Sequence, residues 1–152
     1  MATTATSRNG ASTAPAAVVQ TFLGALADDD VDRAAALLAD DAVWINVSLP
    51  AVRGRARIER LCRMGPRIGL RFRVHVHHLA AEGPVVLTER SDALGLGRFE
   101  QRFWVHGRFE VHDGRITVWR DAFDWGDLGV SLVRGLAGIA VPGLNRPWPG
   151  RH

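Results

Sequence analysis

Between Leu70 and Trp125 the chain alternates apolar and polar residues almost without pause, the period-two signature of strands buried on one face. Four long strands are predicted, over Arg71–Ala80, Val85–Leu94, Arg98–His112 and Arg115–Trp125, with Asp113-Gly114 as the hairpin turn before the last. A meander of this length has one apolar face that another layer must cover. The preceding segment supplies that layer. Thr13 and Pro15 signal a helix start, and Val18, Val19, Phe22, Leu23 and Leu26 recur at helical spacing to about Ala27. Asp28 to Asp30 break the pattern, and Asp30 is placed to cap a second helix with Ala34, Leu37 and Leu38 as its apolar stripe. Ala42 to Val47 alternates as a strand, Ile58 to Met64 returns to helix, and a last helix is predicted over Asp127–Ile139. The expected fold is α+β: a curved mixed, mostly antiparallel sheet wrapped on three to four helices.

At 152 residues one core is expected, with residues 15–152 forming a single domain after an Ala/Ser/Thr-rich tail, residues 1–14, read as disordered. That tail has no apolar stretch of the secretory type, and the apolar run from Leu128 to Val141 is broken by Arg134 and too short for a membrane span. No membrane association is expected. All 19 basic residues are Arg, which excludes lysine Schiff-base chemistry and a phosphate-loop lysine. Tyr is absent too. Cys62 is the only cysteine and sits between Leu61 and Met64 in an apolar helical context, where an inert thiol in a reducing cytoplasm is the plain reading. Eight arginines fall between Arg53 and Arg73, but Arg57, Arg60 and Arg63 lie three apart on one helix face and no aromatic residues interleave, so nucleic acid is not expected as a partner.

Strand parity assigns the chemistry to faces. Arg90 and Asp92 share a face with Val86, Thr88 and Leu94, about 7 Å apart along the strand. On the last strand Trp119, Asp121, Phe123 and Trp125 share the aromatic, inward face, and the strand before it turns Phe99, Phe103, Val105 and Phe109 inward. Trp44 and Asn46 share a face of the first strand. A carboxylate among Phe and Trp must be paired or protonated, and one Arg fork can bridge two of them. Two acids with separated pKa values make a general base and a general acid, and an Asn amide can position a water. A structural ion pair near a sheet end is the alternative on spacing alone.

Three stretches carry a resemblance, in order: Trp44-Ile45-Asn46, Leu87-Thr88-Glu89-Arg90-Ser91-Asp92, and Gly114 through Asp124. Over about residues 15 to 145 the chain resembles the limonene-1,2-epoxide hydrolase family, mycobacterial-type members above all, within the cone-shaped nuclear transport factor two-like and SnoaL-like superfamily. The resemblance implies that Asp121 deprotonates the attacking water, Asp92 protonates the epoxide oxygen, Arg90 bridges them and Asn46 holds the water, in one displacement without cofactor or metal. The family's second water-holding residue is a Tyr, and Trp44 stands in its place. An indole N–H donates but cannot accept. Leu61, Met64, Leu94, Phe103, Val105 and Phe123 are expected either to line an apolar pocket for a terpene-like or cyclic epoxide or to pack the core. An epoxide-opening cyclase or isomerase, or a non-catalytic binding module, uses the same scaffold. The resemblance also implies a homodimer.

Other groups read as structural. His75 and His77 form a solvent-facing pair with no carboxylate on their own strand face, Glu89 and Ser91 lie opposite the acids, Asp124 caps or pairs at the sheet end, and Ser131 lacks a nucleophile elbow.

Overall fold

The computed structural model describes residues 13–145 and 147–149; the predicted tail lies largely outside the described residues. Helices α1 (Thr13–Ala27) and α2 (Val31–Ala36) precede strands β1 (Leu38–Asn46) and β2 (Val52–Arg53), then α3 (Arg55–Arg67), the meander β3 (Arg71–Glu82), β4 (Val85–Leu96), β5 (Phe99–His112) and β6 (Arg115–Ala122), and α4 (Trp125–Ala140). One six-stranded sheet runs β2-β1-β6-β5-β4-β3. Among the described residues only β1 and β6 pair in parallel, so the sheet is mixed and mostly antiparallel, as the sequence predicts.

Local chemistry sets the boundaries. The Asp30 carboxylate accepts the Arg33 amide at 3.1 Å and caps α2. Leu38, read as helical, opens β1 instead, because α2 stops at Ala36 and Leu38 is buried in the core. The last strand ends at Ala122, short of the predicted Trp125. Asp124 accepts the amides of Gly126 and Asp127 at 2.7 and 3.1 Å and starts α4 there, which leaves Trp125 half-exposed rather than inward. The two-residue β2 carries no period and is invisible in the sequence.

Two bulges interrupt the alternation within the meander, and a third irregularity falls between Leu38 and Val43 of β1 where it pairs with β6. An extra residue at His77 in β3 lets Val74, Val76, Leu79 and Ala81 all pack against the core despite their mixed parity. In β6 the register passes from Ile116 opposite Val111 to Val118 opposite Glu110, and the surplus Thr117 brings Ile116, Trp119 and Asp121 to one face. The outer face is less open than expected: His77 is half-buried, bonds Ser91 Oγ at 2.8 Å and stacks on Trp104 with ring centroids 4.5 Å apart.

The concave face is divided crosswise. At one end α1 lays Val19, Phe22 and Leu23 against Val86, Phe109, Ile116 and Trp119, with Phe22 edge-on to Trp119 at 5.0 Å. Each such side chain contributes about 1.5–3 kcal/mol on burial. At the other end the same strands run on past the core and line a cavity.

Candidate active site

Where the core ends, three charged side chains meet. Arg90 is 1% exposed, Asp92 4% and Asp121 5%. Arg90 Nε donates to both oxygens of Asp92, at 3.0 and 3.2 Å, and Arg90 Nη2 lies 2.7 Å from Asp121 Oδ2. Strand pairing produces the convergence. Arg90 and Asp92 are two apart on β4, and β5 between β4 and β6 offers Gly107 opposite both Thr88 and Asp121. A guanidinium reaching across a glycine spans the strand that separates the acids.

Asp121 has a second partner that parity alone does not reveal. Trp119 Nε1 donates to Asp121 Oδ2 at 2.8 Å, so both donors sit on one carboxylate oxygen. Asp121 Oδ1 is buried and has no hydrogen-bond partner among the described residues, and Trp44 Nε1 is in the same condition. The register places Trp44 opposite Trp119 and Asn46 opposite Asp121. The indoles of Trp44 and Trp119 stack with centroids 4.5 Å apart and planes 12° from parallel.

Burial dominates the electrostatics. Desolvation raises the Asp92 carboxyl to about 6, against the pull of Arg90 and with a further push from the Asp121 charge. Desolvation raises Asp121 as well, opposed by Arg90 and by the Trp119 hydrogen bond. Burial would lower Arg90, but the two carboxylates outweigh it and its pKa rises. One guanidinium and two ionised acids would leave a net negative charge in an apolar pocket; one retained proton makes the set neutral. Asp121 receives two separate N–H donors and Asp92 a single forked one, which favours the anion on Asp121 and the proton on Asp92.

The acids form the floor of a cavity of about 770 Å³ lined by Trp44, Asn46, Leu61, Met64, Leu94, Phe103, Val105 and Phe123 together with Arg90, Asp92 and Asp121. Every residue named from the sequence for the site therefore reaches one space. Phe99, expected inward, packs beside Gly135 of α4 instead and does not reach it. The sequence reading missed Phe72, Trp119 and Gln101 as lining residues. Gln101 Nε2 donates to Leu128 O at 2.9 Å and to Ser131 Oγ at 3.1 Å, tying α4 to the mouth; its even spacing from Phe103 and Val105 was the available signal. Cys62 also lines the cavity, and burial pushes its thiol up to about 11, which keeps it protonated.

A sheet curled around helices with polar groups at the bottom of its cone defines the nuclear transport factor two-like class. A nuclear transport factor two-like protein of unknown function from Burkholderia pseudomallei superposes with a TM-score of 0.68 over 79% of this chain and 98% of that one, at 15% identity, a likeness of fold alone. Residues 13–134 match the family model described as the limonene-1,2-epoxide hydrolase catalytic domain, and the chain belongs to that family. It is 48% identical to Epoxide hydrolase EphG of Mycobacterium tuberculosis over 128 residues, 84% of this chain and 85% of that protein. The solved structure of an M. tuberculosis epoxide hydrolase of this type has a TM-score of 0.86 at 43% identity, covering 90% of this chain and 97% of that one.

Proposed function

We propose that this chain is an epoxide hydrolase that adds water to a hydrophobic, terpene-like or cyclic epoxide and releases a vicinal diol. The observation that carries the reading is one guanidinium holding two buried acids at the floor of an apolar cavity, with Asp121 Oδ1 left without a partner among the described residues. Family membership supports it.

In this mechanism Asp121 Oδ1 takes a proton from a water as the water oxygen attacks an epoxide carbon. Asp92 delivers its proton to the epoxide oxygen as the C–O bond breaks, so no alkoxide accumulates. Arg90 keeps the acids in register and stabilises the charge that moves between them. The Asn46 carbonyl accepts the water's second hydrogen and the Trp44 N–H donates to its lone pair, which leaves the other lone pair for the carbon. After ring opening the proton taken by Asp121 returns to Asp92 through solvent before the next turnover. The chain's own side chains supply both proton transfers.

The direction of the Asp92 shift sets the pH dependence. A general acid works only while protonated, so kcat/KM, which follows the free enzyme, is expected to fall as pH rises through about 6, and to fall on the acid side as Asp121 takes up its proton. The apparent values belong to the pair. Loss of the alkaline limb in Asp92→Asn, with the acid limb from Asp121 kept in the residual rate, is the check.

Trp44 tests the water-holding role and separates turnover from mere binding. Trp44→Phe keeps the ring and deletes the N–H; roughly a tenfold loss of kcat is expected for one hydrogen bond to the water, with KM little changed. Trp44→Tyr restores a group that donates and accepts, and turnover at or above the wild type is expected. Equal rates in all three proteins would remove Trp44 from the chemistry, and thermal stabilisation by epoxides without product would favour a binding module.

The reading as a whole is tested by incubating the protein with limonene oxide and simple cyclic epoxides in labelled water. Diol carrying solvent oxygen supports hydrolysis. Cyclised product carrying substrate oxygen, or an isomer without added water, would assign the scaffold to the cyclase or isomerase class. We also read the chain as a cytoplasmic homodimer, a reading supported by the exposed apolar side chains Val133, Leu136, Val141 and Leu144; a monomeric mass at micromolar concentration would contradict the second part. Among the described residues no helix is long and apolar enough to cross a membrane.

A further inference from the structure

A glycine in the middle of a fourteen-residue strand weakens the strand unless another group comes close to its backbone. Gly107 is that residue in β5. Its φ is not positive, so backbone freedom does not explain it. Space does. A Cβ built at Gly107 would lie 2.4 Å from Arg90 Nη1, 2.5 Å from Thr88 Oγ1 and 3.0 Å from Phe109 Cε2. A flexible arginine would normally yield to a methyl group. This one cannot do so cheaply, because it is 1% exposed and held by Asp92 on one side and Asp121 on the other. Its third edge faces Thr88, where Nη1 donates to Oγ1 at 3.4 Å.

We infer that Gly107 is a positioning residue for the reaction: the absence of its side chain leaves the space over β5 through which the Arg90 guanidinium reaches both acids. The inference rests on the hydrolase reading for its kinetic consequence, but the geometry of the slot stands independently. Any side chain at position 107 must tilt the guanidinium away from Asp121, from Asp92 or from both. A displacement of about an ångström at a reacting constellation lowers turnover about a hundredfold. The acids lose part of their compensating charge at the same time, so their protons are held more tightly.

The test compares wild type with Gly107→Ala by kcat and KM on an epoxide the wild type consumes, and by a carbon-13 carboxyl titration of Asp92 assigned through Asp92→Asn. A hundredfold fall in kcat with KM within a few fold, a cooperative melt and an upward move of the Asp92 titration are expected. Unchanged kcat, or a lower kcat with an unmoved titration, would overturn the positioning role. Should the wild type turn over no epoxide, the hydrolase reading fails and the titration alone decides on Gly107. If Gly107→Ala does not fold, the same comparison is made in a Thr88→Ala background, where the lost hydroxyl gives Nη1 room to withdraw. There Gly107→Ala should still lower kcat, about tenfold, and still shift the titration; no difference between the two backgrounded proteins would contradict the inference.

Discussion

Arg90→Met is expected to destabilise the fold by about 3–5 kcal/mol at pH 8 and by much less at pH 5. Met has much of the arginine's volume, so packing over Gly107 survives and the main loss is electrostatic. Without the guanidinium, Asp92 and Asp121 are two like charges buried together with no cation. Their folded-state pKa values then rise further above the unfolded value. A group whose folded pKa is raised binds its proton more tightly in the folded state, so stability falls as pH rises from the unfolded pKa through the folded one. Acidification therefore returns what neutral pH removes. The native protein shows the same sign in smaller form, because the Asp92 carboxyl is raised to about 6. Denaturant melts at the two pH values read the effect, and a loss equal at both would mean that the charges are solvated or that the defect is a cavity.

Asp121→Asn is expected to abolish turnover to within about a thousandth of the wild-type rate or less, since a positioned base contributes some two to four powers of ten. Folding should persist. The amide is nearly isosteric, and its oxygen can accept from Arg90 Nη2 and Trp119 Nε1 as Oδ2 does now. Loss of activity with an unchanged melt separates a role in chemistry from a role in the ion-pair network. The outcome that sinks the assignment is a variant that retains turnover, or one that unfolds and so marks Asp121 as structural.

Much of this was legible in the chain because it rests on parity. Arg90 with Asp92 and Trp44 with Asn46 are each two apart on a strand, and a period of two fixes their faces whatever the remaining fold does. The six apolar residues, expected with the family resemblance to line a pocket or to pack the core, all reach the cavity. Parity fails where the ladder gains a residue. The bulges at His77 and Thr117 left no sequence signal, and the second of them decides that Ile116 and Asp121 share a face. Trp125 was misplaced because a strand continuing on an inward aromatic cannot be told from a helix whose cap precedes it. The Asp124 cap decided in favour of the helix. The Trp119 hydrogen bond and the Gly107 slot lie one level deeper, since they depend on side-chain distances, within β6 and between β4 and β5, rather than on which face a residue takes.

In the one-step mechanism water, not a carboxylate, is the group that meets the epoxide carbon. A single turnover in oxygen-18 water, with enzyme in excess over epoxide, reads this directly. Every diol molecule should carry one solvent-derived oxygen from the first turnover onward. Unlabelled diol in that first turnover, its oxygen traced to the Asp121 side chain, would make Asp121 a nucleophile and contradict the one-step mechanism.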